Sequence, residues 1–335
     1  MATSVHGLAE IHYINESRQI NNHSMDTRKP LDSQATICMV VLCVLWAAQQ
    51  VALKATADDI APVYLIALRS GIAAVLVALL MLVRGESWGL GNGNWRPGLL
   101  VGGLFGLEFV LVGEGLRHTS ASHMVVFLYT APVFAALGLH WRLPSERLGP
   151  VQWAGIALAF GGIVIAFFGR SQPTVATPEN MLWGDVLGLL AGMAWGATTM
   201  VVRCSRLSSA PATQTLLYQL VCAFVMLLAV SLVTDQARFT SSPRVWGALA
   251  FHALVVSFAS FLVWFWLLRH YLASRLGVFS FMTPLFGIVL GAWLLDEPIE
   301  PSFVLGAVPG LLGIVLVSGG GWLTQWFAPR TQKSP

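Results

Sequence analysis

HTSASHMVVFLYTAPVFAALGLHWRLPSERLGP (residues 118–150) recurs along the same chain as HYLASRLGVFSFMTPLFGIVLGAWLLDEPIEP (residues 270–301). Both stretches begin with histidine, carry Ala-Ser three residues later, and then place Val-Phe, proline and tryptophan at matching positions. After a slippage of one residue, a glutamate and a proline also coincide. The pattern is therefore an internal repeat. Its matched pairs include His118 and His270, Pro132 and Pro284, Trp141 and Trp293, and Glu146 and Glu297.

The repeat extends beyond these stretches in both directions. Upstream, Trp46 matches Trp195, and downstream, Gly162-Ile163 matches Gly313-Ile314. Self-similarity at a fixed offset indicates a duplicated structural unit, here of roughly 150 residues. We therefore expect two copies of one fold within the chain.

The composition excludes a soluble globular domain. Hydrophobic residues make up 56% of the 335 residues, charged residues only 10%, and the mean hydropathy is +0.70, whereas soluble domains carry about 25% charged residues. A water-soluble core cannot hide this much apolar surface, so we predict an all-α integral membrane protein whose main partner is the lipid bilayer. The basic residues occur singly or in pairs, which excludes a nucleic-acid partner.

The four cysteines give no sign of a metal or redox centre. Cys38, Cys43, Cys204 and Cys222 lie in or beside apolar blocks, and none forms a CxxC pair. Cysteines that act as small buried apolar residues are the simpler explanation for these positions. We therefore predict no metal and no cofactor.

Ten apolar blocks are long enough to cross a bilayer as helices, which takes about 20 residues each. A stretch with two prolines, residues 170–181, is the predicted linker between a first copy at 36–169 and a second at 182–323. Residues 1–35 and 324–335 are predicted to be polar cytoplasmic tails. The predicted spans, numbered 1 to 10, are residues 36–54, 62–83, 97–116, 119–141, 150–169, 182–202, 210–233, 245–268, 273–294 and 302–323.

The positions of lysine and arginine set the orientation of these spans. With the N-terminus inside, 13 of these residues fall on the inner side and 5 on the outer side, which together with Arg69 inside a span account for all 19. Both termini are therefore predicted to be cytoplasmic. Each copy has five spans, an odd number, so the second copy enters the membrane from the opposite side. Such inverted repeats are typical of secondary transporters that bind substrate near the bilayer midplane.

These features resemble the EamA-like family of the drug/metabolite transporter superfamily, over about residues 36–323. Within it, the chain looks most similar to the YddG-like amino-acid exporters. The resemblance is carried by the duplicated ten-helix plan, by Trp46 and Trp195, by Arg69 in Leu68-Arg69-Ser70, by Pro132 and Pro284, and by the turns Ser145-Glu146-Arg147-Leu148 and Asp296-Glu297-Pro298-Ile299.

The resemblance implies a central cavity lined mainly by helices 1, 3, 4, 6, 8 and 9, with helices 5 and 10 as scaffold. It also implies alternating access by rocking of the two halves, and a place in the prokaryotic inner (plasma) membrane. We expect a monomer or a weak homodimer. Small residues at helical spacing in helices 5 and 10, such as Gly155, Gly162, Gly306 and Gly313, predict that these two helices pack closely.

Charged side chains inside a span are costly and therefore mark candidate pathway residues. Arg69 and Glu108 lie roughly 10 and 12 Å from the outer face at 1.5 Å per residue, so an ion pair between them is predicted. Two interpretations stay open. The pair either joins two helices structurally, or Glu108 binds a substrate ammonium group or a coupling proton while Arg69 binds a carboxylate. Glu114, near the outer interface, is predicted to be solvated.

Polar and aromatic residues inside the spans complete the candidate site. Histidines titrate near neutral pH, so His123 is a candidate for proton coupling, with a hydrogen-bonded structural role as the alternative. Prolines in helices 4 and 9 predict kinks that face a cavity, with kinks that serve packing alone as the alternative. The aromatic residues are candidate cavity walls, with core packing or lipid contact as the alternative. The predicted substrate-binding residues are Trp46, Gln50, Arg69, Glu108, His123, Phe127, Tyr129, Trp195, Thr199, Trp264, Phe279 and Thr283.

The favoured function is secondary transport of a small metabolite, namely export of an amino acid or related compound by alternating access. The sequence lacks the P-loop pattern GxxxxGK[ST], so ATP does not drive the transport directly. Coupling is expected from a proton, an exchange partner or the substrate gradient alone. One alternative is a permease of the same superfamily for a drug, sugar or nucleotide-type metabolite. An intramembrane enzyme is disfavoured because the sequence has neither HExxH nor GxSxG.

Overall fold

The chain forms a bundle of long helices, and no strand occurs among the residues described by the computed structural model. Those residues are 29, 31–88, 93–118, 124, 127–168, 178–295, 301, 305–306, 308–310, 312–313 and 316. Single 3₁₀ turns occur at Pro144–Glu146 and Arg206–Ser208. The helices are α1 (Ser33–Ala55), α2 (Pro62–Val83), α3 (Trp95–Gly115), α4 (Ala131–Arg142), α5 (Pro150–Phe168), α6 (Pro178–Cys204), α7 (Ala212–Val233), α8 (Pro243–His270) and α9, in two pieces (Ala273–Phe279 and Met282–Leu295).

Seven helices in the described part of the chain are long and apolar enough to cross a membrane. Predicted spans 4 and 5 correspond to α4, which has only 12 described helical residues, and to α5, which has 19. Predicted span 10 and the predicted tails fall largely outside the described residues. The ten-helix count therefore remains a prediction. The seven helices are Ser33–Leu53, Pro62–Val83, Trp95–Gly115, Leu182–Cys204, Ala212–Val233, Pro243–His270 and Ala273–Leu294.

The helical path is interrupted just before each of the two matched prolines, as the sequence predicted. Regular helix α4 begins only at Ala131, next to Pro132, and α9 breaks at residues 280–281, before Pro284. Proline lacks an amide hydrogen and its ring clashes with the preceding turn, so the helix cannot continue unchanged. The Thr130 hydroxyl donates to the Phe127 carbonyl at 2.5 Å and helps to satisfy the interrupted backbone.

The cavity described below is enclosed by helix pairs that join the two sequence repeats. Helix α3 packs on both α6 and α7, and α2 packs on α7 and on the middle of α8. Helix α1 packs on α9 and on α8, and α4 packs on α6. The middle of α8, Phe251–Ser260, is a π-helix. In lipid, such close pairing depends on van der Waals contact and on small residues at the interface.

Helix α5 packs backbone against backbone on the described residues around 305–313. A Cβ atom added at Gly162 would collide with the backbone of Gly306 and Gly310, and one added at Gly313 would collide with the backbone of Gly155 and Ala159. Only glycine permits this approach. The close packing expected from the glycine spacing of predicted helices 5 and 10 is therefore confirmed for these residues.

At one end of the bundle, the buried carboxylate of Glu146 joins three helices. It accepts hydrogen bonds from Nε and Nη2 of Arg203, at 2.9 Å for Nε, and from the hydroxyl of Ser274 at 2.6 Å. The backbone amides of Ala273 and Ser274 also donate to it, both at 3.0 Å. These amides lie in the first turn of α9, where the helix dipole favours a negative charge. Glu146 therefore fixes the ends of α4 and α6 to the start of α9.

The opposite end of the bundle is joined by a backbone contact between two loops. The amide of Thr240 donates to the carbonyl of Asp59 at 2.8 Å, and Ile60 forms an isolated bridge with Phe239. These residues connect α1 with α2 and α7 with α8. The described loops thus gather at two ends, as expected for helices that cross a layer in alternating directions.

Candidate functional site

A narrow cavity lies among α1, α3, α6, α7 and α8, closed on one side by the residues just before α4. Its volume is about 60 Å³, which is room for a few water molecules. Most of its wall is aromatic or aliphatic, and the polar groups are amides, hydroxyls and one carboxylate. The lining residues are Trp46, Gln49, Gln50, Phe105, Glu108, Phe109, Leu128, Tyr129, Trp195, Thr198, Thr199, Val202, Gln219, Phe261, Trp264, Phe265 and Leu268.

The structure brings together seven of the twelve residues predicted from the sequence. Arg69, Phe127, Phe279 and Thr283 do not line the cavity, and His123 lies outside the described residues. The seven predicted residues that line it are Trp46, Gln50, Glu108, Tyr129, Trp195, Thr199 and Trp264.

Three tryptophans and a tyrosine form a continuous aromatic wall. The Trp46 ring lies 6.4 Å from Trp195 and 5.6 Å from Trp264, both edge to face, and Tyr129 lies 5.3 Å from Trp195. Such edge-to-face contacts are favourable beyond the area they bury. The indole N–H of Trp46 donates to the Ser260 hydroxyl at 3.1 Å, which fixes the orientation of its ring.

Glu108 is the acidic residue of this wall. Its side chain is buried, and Oε2 has no hydrogen-bond partner among the described residues. A buried carboxylate oxygen without a donor is unfavourable, so a residue placed in this way is poised to meet a donor that enters the cavity.

Arg69 lies behind the wall, with only 1% of its surface exposed. Its Nη1 donates to the side-chain oxygen of Gln49 and lies 3.1 Å from Nδ1 of His252. Since Nη1 can only donate, Nδ1 accepts and the neutral His252 ring carries its proton on Nε2. The guanidinium carbon lies 4.9 Å from the centre of the Phe109 ring, which is a cation–π contact.

The ion pair predicted between Arg69 and Glu108 does not form as a direct contact. No ion pair within 4.0 Å joins them among the described residues, although the two side chains are close enough to interact electrostatically. The position of a residue along a helix determines its depth in the membrane but not the direction in which its side chain points around the helix axis. Arg69 is turned toward α1 and α8 instead. Glu114, predicted to be solvated, is partly exposed and pairs with Arg117 at 2.9 Å.

Phe127, Phe279 and Thr283, the other predicted residues, lie next to the interruptions of the helices before α4 and within α9. The carbonyl of Phe279 accepts a hydrogen bond from the Cys43 thiol at 3.2 Å, and Phe127 contributes its carbonyl to the turn before α4. Thr283 is buried, and its hydroxyl has no partner among the described residues. The contacts of Phe127 and Phe279 are made by their backbone carbonyls at the interrupted helices. Predicted helix 9, which was expected to line the cavity, contributes no residue to the wall as described.

Several lining residues were absent from the predicted set. Gln219 on α7 was visible as a polar residue within an otherwise apolar span, and Gln49 is adjacent in sequence to the predicted Gln50. In contrast, Phe105, Phe261 and other apolar residues of the wall carry no signal that separates them from core or lipid-facing residues. No cluster of three or more metal-binding side chains occurs in the part of the chain that the structure describes.

Comparison with known proteins identifies a family model that matches most of the chain. The model of the EamA-like transporter family matches residues 34–168 and again 182–319. The uncharacterized transporter YoaV of Bacillus subtilis is 23% identical over 282 residues, covering 83% of this chain and 94% of that protein. The uncharacterized transporter YyaM of the same species is 27% identical over 251 residues, covering 74% and 81%.

The fold is also found among solved structures. One crystal structure superposes with a TM-score of 0.71 at 18% identity, and the match covers 85% of this chain and 97% of that chain. At this identity the likeness concerns the fold alone.

Proposed function

Because the chain belongs to the EamA-like transporter family, we propose that it is a secondary transporter that moves a small metabolite across the membrane by alternating access. The observation that carries this proposal is the central cavity, which is lined by α1 and α3 from one sequence repeat and by α6, α7 and α8 from the other. Substrate sites of secondary transporters lie between such halves. We further propose that the substrate is an amino acid or a related metabolite and that transport is outward, as in the YddG-like exporters.

We propose that the complete fold has ten transmembrane helices in two inverted repeats, residues 36–169 and 182–323. The helix pairs support this arrangement. If α1 corresponds to α6, α2 to α7, α3 to α8 and α4 to α9, then the pair α1–α9 becomes α6–α4, and the pair α2–α8 becomes α7–α3. All of these pairs are present, and α2–α7 maps onto itself. Contacts that are exchanged in this way support a two-fold axis between two equivalent units.

The proposed orientation places both termini in the cytoplasm, with the chain in the bacterial inner membrane. The excess of lysine and arginine on one side supports it. Under this orientation, the hydrogen-bonded group around Glu146 lies at the cytoplasmic end, and the contact between Asp59 and Thr240 lies at the outer end.

The cavity volume bears on the transport cycle. Sites for small molecules commonly enclose about 300–1,000 Å³, whereas this cavity has about 60 Å³. An amino acid therefore requires the walls to separate before it binds. Rocking of one repeat against the other would supply that space and would open the cavity to one side at a time.

Counterflow tests the proposal. Purified protein in liposomes preloaded with unlabelled amino acids should accelerate entry of the same labelled amino acid, with and without a pH gradient. Trp46→Ala should abolish most of this exchange because it removes the centre of the aromatic wall. Trp141→Ala is the matched control, since Trp141 is 76% exposed and lies outside the cavity.

The outcomes separate the candidate functions. If exchange is confined to drugs, sugars or nucleotide-type metabolites, the amino-acid assignment is wrong and the alternative permease function holds. If the folded protein exchanges none of these solutes, the transporter proposal itself fails, and an intramembrane enzyme becomes the alternative to test. Exchange that is indifferent to the pH gradient would remove protons from the mechanism.

A further inference from the structure

The charged lining of the cavity wall is of one sign only among the described residues. Among its described lining residues, Glu108 alone carries a formal charge, and none is lysine, arginine or histidine. The neighbouring guanidinium of Arg69 is engaged elsewhere, with Gln49 and His252 as its hydrogen-bond partners and the Phe109 ring beneath it. The described wall therefore offers a carboxylate that accepts hydrogen bonds from a cation. It offers no cationic side chain that would bind a carboxylate or phosphate within the cavity.

The aromatic rings beside Glu108 add to the same preference. Three of them, Trp46, Trp195 and Trp264, are tryptophans, whose ring faces attract cations most strongly. Trp46 donates its indole N–H to Ser260 and contacts both of the other two rings, so the three rings form one continuous aromatic surface that can attract a cation.

Resting on the transport function proposed above, we infer that this site selects substrates that carry an organic ammonium group. The –NH3+ group donates to the free Oε2 of Glu108, and the aromatic wall surrounds its charge and the adjoining carbons. A carboxylate on the substrate is not required, because the described wall has no cation to receive it. The ammonium group can belong to an amino acid or to a simple amine.

Three probes that share the isobutyl group of leucine test this inference. Leucine carries both charged groups, 3-methylbutylamine carries only the ammonium group, and 4-methylpentanoate carries only the carboxylate. Binding to the detergent-solubilised protein is followed by the intrinsic fluorescence of the wall tryptophans. We expect the amine and leucine to bind, and the acid not to bind. Glu108→Gln, which keeps the shape of the side chain, should weaken amine binding at least tenfold.

Glu114→Gln is the matched control. It removes a carboxylate from the same helix, at a partly exposed position outside the cavity, and should leave the amine affinity unchanged. A melting temperature like that of the wild type shows that each variant is folded. Glu108→Gln is suited to this comparison because it keeps the size of the side chain and removes its ability to carry a negative charge.

Each remaining outcome overturns the inference. It fails if 4-methylpentanoate binds as tightly as the amine, or if Glu108→Gln binds the amine as the wild type does. It also fails if none of the three probes binds. In each case, counterflow of an uncharged solute after the same protein is reconstituted into liposomes leaves the transporter proposal standing, whereas its absence for every solute defeats both.

Discussion

At the scale of single residues, Arg69 holds its own helix and three others together through one guanidinium group. It donates from α2 to Gln49 on α1 and to His252 on α8, and it lies over Phe109 on α3. The side chain is fully buried, so no water replaces these contacts when they are lost. Leaving a buried acceptor without its donor costs about 1–3 kcal/mol. Arg69 should therefore matter for stability whatever the substrate is.

We predict that Arg69→Met lowers the free energy of unfolding by about 2–4 kcal/mol, because two buried acceptors lose their donor. Thermal unfolding in detergent micelles measures the loss. Arg117→Met is the control, since the exposed Arg117 pairs only with groups at the helix end, and such surface pairs contribute about 0–1 kcal/mol. Equal melting temperatures for the two variants would contradict a structural role for Arg69.

The sequence identified polar residues within spans but not their partners. Arg69 and Glu108 stand out because charge is rare in apolar blocks, and their similar depth follows from helix geometry. The depth of a residue in the membrane does not determine which way its side chain points around the helix axis. The Arg69 side chain points toward Gln49 and His252. The cavity phenylalanines were missed for the opposite reason, since an apolar residue in an apolar span has no distinguishing chemistry.

At the scale of helices, α3 and α7 pack through a row of glycines. A Cβ atom at Gly98, Gly102 or Gly106 would collide with α7, in the last two cases at Cys222 and Met226 respectively. The glycines recur every four residues and therefore share one face of α3. Gly103 directly follows Gly102, but a Cβ atom added at Gly103 would face open space. Two adjacent glycines on one helix thus have opposite surroundings.

This contrast gives a matched pair of substitutions. Gly102→Ala should lower the free energy of unfolding by about 1–3 kcal/mol, because the added methyl group meets the Tyr218 carbonyl at 2.5 Å and the Cys222 sulfur at 2.6 Å. Gly103→Ala should be neutral or stabilising, because alanine favours a helix by about 1 kcal/mol over glycine. Melting temperatures of the two variants decide the matter. A loss of stability at Gly103 as large as that at Gly102 would refute the described packing.

The interruptions of the helices were only partly predictable. Pro132 and Pro284 predict the breaks before α4 and within α9, because proline always removes an amide donor. The π-helix at Phe251–Ser260 has no such marker, since the segment FHALVVSFAS contains neither proline nor glycine. It carries His252 and Ser260, which contact Arg69 and Trp46. The contacts of His252 with Arg69 and of Ser260 with Trp46 join residues that are far apart in the sequence, so the sequence alone does not predict this π-helix.

At the scale of the whole molecule, the internal repeat was the most informative feature of the sequence. It predicted which helices correspond, and the described contacts recur between the corresponding pairs of helices. The repeat could not predict that α7 lines the cavity through Gln219 while α9 does not. A duplicated chain fixes the architecture, but each copy has diverged in the residues that it presents to the centre.

Orientation in the membrane is the remaining property of the whole molecule, and Cys204 provides a direct test. It lies at the last turn of α6 beside Arg203, and it is the exposed member of the four cysteines, all of which are free. In the proposed orientation this end of α6 is cytoplasmic. A membrane-impermeant maleimide should therefore reach Cys204 in inverted membrane vesicles but not in intact cells. The variant used has Cys38→Ala, Cys43→Ala and Cys222→Ala.

The converse variant places the thiol at the other end of the bundle. Thr234 is exposed at the end of α7, so Thr234→Cys in a chain without its four native cysteines should label in intact cells only. The opposite pattern for both variants would place the N-terminus outside and would contradict the orientation inferred from lysine and arginine. Labelling of Cys204 in both preparations would contradict a single orientation of the chain.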